Sequence, residues 1–410
     1  MSSTPTTIDA PINATQVRAV ALCALVTLIE GIDLTLIPLL APKITEAWSV
    51  PAAEFGIILS SGPIGLIMGG LGVGYLADRI GRRNALIAAM LLMTVATAAT
   101  VLATNVPQLL FARLVTGISF GGVIPAAVAL VSESLPARVR ASVVAFVFLG
   151  QAGGGLLAAL LLKLPIADGP WQTPVLYVAG GCAVVTVLLI ALLPESPRYL
   201  TMSGPRNRLR DLFSDGRALG TGLLWATFIG VCAAVSFFTN WLTLILTHAG
   251  KPTEVGVDAI AVYSAGAMFG GLVLPLFTRR WHTNKVLLVS IVGAVASCIG
   301  IGLVLPLSNA IVLAMATICG VFVSGAFFML YPPAARFYPT HVRSTGIGAA
   351  VAFGRIGNML SPAAAGFMLG AGIRPATVFF AIAMPMLLSC VTLVVFHRLT
   401  ATDASANTLD

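Results

Sequence analysis

The sequence predicts an all-α polytopic membrane protein, with twelve transmembrane helices forming two pseudo-symmetric six-helix bundles. Three observations carry this expectation. Hydrophobic residues make up 58% of the 410 residues and charged residues only 9%, whereas soluble domains carry about 25% charge. A water-soluble fold cannot hide so much apolar side chain beneath so little charge. Apolar runs long enough to cross the hydrocarbon, about 20 residues each, recur along the whole chain, and lysines and arginines gather in alternate connections between them.

Taken in order, residues 1–16 form a polar tail without the basic start and short apolar core of a cleaved leader. The first apolar run is therefore expected to remain as a helix. Spans are expected at 17–40, 55–77, 84–104, 107–131, 140–162 and 172–193. An unbroken helix over 84–131 would be about twice as long as the hydrocarbon is thick, so the chain is split at Asn105 and Pro107. A basic linker, 195–217, leads to six more spans at 219–247, 257–278, 285–305, 309–332, 343–369 and 374–397. The resulting organisation is a cytoplasmic tail (1–16), one bundle (17–194), the linker (195–217), a second bundle (218–397) and a cytoplasmic tail (398–410).

Of the 23 lysines and arginines, Lys43, Lys163, Lys251 and Arg374 fall on one side of this topology, and Arg113 and Arg355 fall inside spans. The rest share the opposite side, which the positive-inside rule makes cytoplasmic, with both termini there. The net charge of +8 is thereby explained by loops beside a bilayer rather than by nucleic-acid binding.

The two halves also echo each other. Pro136 and Arg140 are matched by Pro339 and Arg343 at one common interval, and Gly150-Gln151-Ala152-Gly153 is matched by Gly354-Arg355-Ile356-Gly357 one residue further on. Duplicated halves are common in secondary transporters, which bind solute between repeats near the membrane midplane. The 41 glycines suit closely packed membrane helices. Cys23, Cys182, Cys232, Cys298, Cys319 and Cys390 all lie in apolar runs without a CxxC pair, which points to buried reduced thiols. No metal-ligand cluster, nucleophile elbow or phosphate loop argues for an enzyme, and no cofactor is expected.

Ionisable groups inside spans are costly and mark function. Glu30 and Asp33, three residues apart, share one helix face. Two carboxylates so close in a poorly solvated place cannot both be ionised cheaply, which suits them to carrying a proton. Arg113 and Arg355 keep their charge and can pair with one of these carboxylates or with the carboxylate of a solute. Flat apolar partners for a solute are available in Phe237, Phe238 and Trp241, with Asn240 beside them, and in Phe327, Phe328 and Tyr331. His248 is expected at the surface near the outer end of its span.

The connection after the second span reads Gly74-Tyr75-Leu76-Ala77-Asp78-Arg79-Ile80-Gly81-Arg82-Arg83. It resembles the cytoplasmic signature loop of the major facilitator superfamily, G-x-x-x-D-R-x-G-R-[RK]. Physically it is a latch: Asp78 can cap a helix or pair with an arginine and so hold one access state. The corresponding Thr278-Arg279-Arg280-Trp281 lacks the acid. Arg113-Leu114-Val115-Thr116-Gly117 with Gly121-Gly122, and Pro194-Glu195-Ser196-Pro197-Arg198-Tyr199-Leu200, also resemble motifs of that superfamily. Glu30-Gly31-Ile32-Asp33 followed by Ala41-Pro42 resembles the [DE]-G-[FLI]-D…A-P signature of its aromatic acid:proton symporter family, in the form seen in 3-(3-hydroxyphenyl)propionate and 4-hydroxybenzoate transporters. Asn240-Trp241-Leu242 and the Arg343 to Gly357 stretch extend that likeness. Here Glu30 stands where many relatives have Asp, and Thr243 where Pro is commoner.

The resemblance implies the major facilitator fold and proton-driven import of an aromatic carboxylic acid. Glu30, Asp33 and Arg113 would couple protons. Arg355, Trp241, Asn240, Phe237 and Tyr331 would bind the acid. Gly74, Asp78, Arg79, Gly81, Arg82 and Arg83 would form the gating loop. The expected setting is a bacterial cytoplasmic membrane, with a monomer in the lipid bilayer, small organic acids and protons as partners, and no nucleic acid. The same fold could instead carry an aliphatic acid or a sugar, or export drugs against protons.

Overall fold

The computed structural model describes residues 13–135, 137–194, 212–214, 216–278, 280–339 and 342–406, and no strand occurs among them. The helices are α1 (Ala14–Leu39), α2 (Ala41–Trp48), α3 (Ala52–Ile80), α4 (Arg82–Val101), α5 (Val106–Ser134), α6 (Ala137–Leu161), α7 (Gln172–Leu192), α8 (Ala218–His248), α9 (Thr253–Phe277), α10 (Thr283–Val304), α11 (Asn309–Cys319), α12 (Gly325–Met329), α13 (Tyr331–Phe337), α14 (Arg343–Gly370) and α15 (Pro375–Ala406). Among the described residues, 10 helical stretches are long and apolar enough to cross a membrane. α6 and α14 occupy the two remaining expected positions; α6 is apolar over Leu149–Leu161, and α14 carries Arg355, Asn358 and many glycines.

Several boundaries differ from the expected ones for local reasons. The connection after α1 is itself helical: α2 has Pro42 at its start, where a missing N–H costs nothing, and stops at Ser49 with φ 53°. α3 and α9 begin earlier than expected, with Glu54 and Glu254 in their first turns, where the helix dipole favours an acid. The split at Asn105 is a cap: its side chain accepts the Gln108 N–H at 3.1 Å. The span expected at 309–332 runs on as one helical stretch, Asn309–Phe337, with a π-helical turn at Gly320–Ser324 and with Pro332-Pro333, which cannot donate to a helix ladder. α15 runs on to Ala406, into the expected tail.

The chain divides into two compact units, one of residues 1–36 and 64–204, the other of 37–63 and 205–410. In the first, α4 packs on α5 and α7, and α5 on α6. α1 meets α6 with almost no side chain between them. A Cβ on Gly31 would collide with the Gln151 backbone, and one on Gly154 with the Leu28 carbonyl and with Ile32 N at 2.6 Å. Glycine at these points lets the backbones touch, and this contact sets the rotation of α1 at Glu30 and Asp33.

In the second unit, α8 is the spine, packed on α14 and α15. α9 packs on α11 and its π turn, and α10 on α15. Its centre is aromatic: Phe238 stacks on Tyr263 at 5.5 Å and meets Phe237 edge-on at 5.4 Å, while Phe379 touches both phenylalanines. Trp225 of α8 stacks on Phe353 of α14 at 3.8 Å. The start of α3 also belongs here, where Gly56 lies against Pro362 and Gly366 of α14.

Candidate functional site

The first unit buries a small charged cluster. Glu30 is 0% exposed and Asp33 1% exposed, so the three-residue spacing turns both carboxylates inward from α1. Arg113, on α5, is 6% exposed and donates from Nη1 to Asp33 Oδ2 at 3.1 Å. The second oxygen, Oδ1, accepts the Thr97 hydroxyl of α4 at 2.9 Å. Cys182 of α7 lies close enough to feel both Thr97 and Asp33. Three helices thus converge on one carboxylate of α1. A buried carboxylate is tolerable only when paired and hydrogen-bonded, and Asp33 is both. The sequence left the partners of Arg113 open between a carboxylate of the protein and one of a solute; the structure pairs it with Asp33.

Thr97 went unnoticed in the sequence, where it is one hydroxyl in an apolar run. A signal was present: Thr94, Thr97 and Thr100 recur every third residue, a polar stripe on one helix face.

The second unit holds the other predicted residues. Arg355 sits half-buried on α14, and its charge reaches Cys232 and Tyr331. Tyr331 stands edge-on to Phe228 and Phe327, at 6.2 and 5.9 Å. Trp241 is fully buried, and its indole N–H has no hydrogen-bond partner among the described residues. Asn240 is half-buried and donates to the Ser236 carbonyl at 2.7 Å, which leaves its amide oxygen available. Phe237 is packed inside the aromatic centre, 1% exposed. Phe327 and Phe328 are half-buried neighbours. His248 ends α8 and is exposed, as a surface residue should be. Arg355 therefore offers a cation with the Tyr331 ring in its surroundings.

In the loop after α3, Gly81 has φ 95°, a conformation glycine adopts without strain, and it turns the chain into α4. Arg83 donates to the carbonyls of Leu193 and Ile190, at 2.6 and 2.7 Å. It so satisfies carbonyls at the end of α7 that no helical N–H reaches. Arg82 is half-buried. Gly74, Asp78 and Arg79 belong to the C-terminal part of α3, and Glu195 to Leu200 lie outside the described residues.

The Major Facilitator Superfamily profile matches residues 23–354. The chain is 35% identical, over 86% of its length and 87% of the relative's, to a 3-(3-hydroxy-phenyl)propionate transporter of Escherichia coli. It is 30% identical to a 4-hydroxybenzoate transporter of Pseudomonas aeruginosa, over 96% of this chain and 95% of that one. Among solved structures, a D-xylose-proton symporter superposes with a TM-score of 0.77 at 16% sequence identity, covering 93% of this chain and 97% of the other.

Proposed function

The chain belongs to the Major Facilitator Superfamily of membrane transporters, and from that premise we propose that it imports an aromatic carboxylic acid, hydroxyphenylpropionate- or hydroxybenzoate-like, by proton symport. The observation that carries the proposal is the buried Asp33–Arg113 pair: a carboxylate closed off from water, held by a cation that can release it. The names of the 35% and 30% identical relatives support the solute class.

The mechanism is alternating access. Protonation in the Glu30/Asp33 pair frees Arg113 from its carboxylate partner. The solute carboxylate binds Arg355, and its ring lies beside Trp241 and Tyr331, with Asn240 available to a ring substituent; Phe237, packed in the aromatic centre, supports this wall from behind. Neutralised and loaded, the carrier closes on one side and opens on the other, because charges that no longer need solvation cross at lower cost. The loop from Gly74 through Asp78, Arg79, Gly81, Arg82 and Arg83 gates this exchange. The bundles are 17–194 and 218–397, joined by 195–217. The protein acts as a monomer in a bacterial cytoplasmic membrane with both termini inside, driven by the proton gradient without a cofactor.

The test is uptake of radiolabelled 3-(3-hydroxyphenyl)propionate and 4-hydroxybenzoate by cells expressing the protein, at pH 6 and pH 8, with and without a protonophore. Accumulation that is faster at pH 6 and collapses with protonophore is expected. Accumulation of an aliphatic acid or a sugar instead, or outward flux of a dye, would overturn the solute or the direction.

A further inference from the structure

We infer that Thr97 is a positioning residue for the proton-carrying carboxylate, one that holds Asp33 both when it is ionised and when it is protonated. The inference rests on the proton-symport reading above. Four buried threonines turn back on their own helix, while Thr27, Thr221 and Thr243 also reach a backbone carbonyl of another segment. Thr100 donates to the Ala96 carbonyl at 3.0 Å, Thr116 to Ala112 at 2.9 Å, Thr186 to Cys182 at 2.8 Å and Thr227 to Leu223 at 2.9 Å. Thr97, also 0% exposed, instead reaches across to Asp33 Oδ1 at 2.9 Å. One turn away, the Thr94 and Thr186 hydroxyls bond to each other at 3.0 Å, which ties α4 to α7 and fixes the direction in which Thr97 points.

The chemistry of the groups around Asp33 separates their roles. Among the described residues these are Arg113 from α5, Thr97 from α4, Cys182 from α7 and Glu30 on the same helix. A guanidinium only donates, so Arg113 serves the ionised carboxylate alone. A hydroxyl donates and accepts, so Thr97 serves either form. A thiol does both only weakly. When a proton from water adds to Oδ2 as Arg113 Nη1 lets go, Oδ1 keeps its Thr97 hydrogen bond. The carboxyl group therefore stays oriented through the step in which it exchanges its cation for a proton, and Arg113 finds it again when the proton leaves.

Thr97→Val keeps the volume and removes the hydroxyl, while Thr97→Ser keeps the hydroxyl. Each is compared with the wild-type protein in proteoliposomes loaded and assayed with radiolabelled 3-(3-hydroxyphenyl)propionate. The readouts are accumulation driven by an imposed pH gradient and solute-for-solute exchange at equal pH, which moves no net proton. Thr97→Val is expected to lower accumulation about tenfold, the scale of one hydrogen bond to a charged group. It should lower exchange less than about threefold, and Thr97→Ser should restore accumulation to within about twofold of wild type. Accumulation by Thr97→Val equal to wild type would overturn the inference. So would an equal fall in both activities, or a Thr97→Ser protein as impaired as Thr97→Val, either of which marks a packing role. A wild-type protein that exchanges solute but ignores the pH gradient would overturn the symport reading and this inference together, whereas a coupled wild type beside a coupled Thr97→Val removes the inference alone.

Discussion

The two units place charge inside the membrane in opposite ways. In the first, Asp33 and Arg113 are almost fully buried and answer each other at 3.1 Å, with Thr97 completing the carboxylate. In the second, Arg355 is half-buried on α14, in reach of Tyr331 and Cys232. A closed pair is neutral overall and changes state by gaining or losing a proton. A half-buried guanidinium keeps its charge and is chemically able to pair with a carboxylate. The difference in burial gives the proposed division of labour its test: the driving ion at the sealed pair, the solute at the half-buried guanidinium.

The largest effect should come from breaking the sealed pair on one side only. Asp33→Asn is expected to reduce gradient-driven accumulation to simple equilibration, read as an internal-to-external solute ratio near about one in energised cells, with the protein still present in membranes by immunoblot. Asp33→Asn accumulating normally would remove that carboxylate from the mechanism.

The pair also makes a stability prediction that Arg355 does not. Removing one partner of a buried pair leaves an uncompensated charge at a cost of about 3–5 kcal/mol, so Arg113→Leu should lower the detergent-phase Tm sharply. The double variant Asp33→Asn with Arg113→Leu should recover most of that loss. Equal melting of the single and double variants would mean the two charges are not coupled.

In the second unit the effect should appear in binding instead. Arg355→Gln is expected to raise KM for a carboxylate solute about tenfold or more, the loss of a charge-assisted hydrogen bond worth about 1.5–3 kcal/mol, while the Tm shifts little. Neutral analogues losing affinity to the same degree would assign Arg355 a structural role.

The smallest effect should come from the loop. Arg83→Gln removes two hydrogen bonds to the end of α7 at a half-buried place, so a loss of about 1–2 kcal/mol and a Tm lower by a few degrees are expected. The ratio of uptake at pH 6 to that at pH 8 should stay as in wild type. A changed ratio would connect the loop to proton coupling.

The all-helical membrane fold was legible in the sequence because the bilayer imposes it: a chain this apolar must satisfy its backbone within helices. Glu30, Asp33, Arg113 and Arg355 were legible for the same reason, since each is expensive in hydrocarbon and stands out from its run. Gly81 was legible as a turn residue. Less could be read where the outcome depends on neighbours. The π turn at Gly320–Ser324 lies where Gly266 and Gly270 of α9 and Gly320 of the turn itself bring two backbones together, and no periodicity announces it. Phe237 and Trp241 look alike in a list of aromatics, yet Phe237 is locked in a ring cluster while Trp241 keeps an unpartnered N–H.

By itself, then, the sequence determined that this is a polytopic helical membrane protein, where its spans lie and which side chains are too costly to be ornamental, because those properties follow from the free energy of transferring each residue into lipid. Only the tertiary structure decided that Arg113 answers Asp33 and that Thr97 leaves its own helix to hold the second oxygen. Those choices depend on how α1 is rotated by its glycine contact with α6 and on how α4 and α7 are tied together, and rotations of that kind are set by packing between segments far apart in the chain.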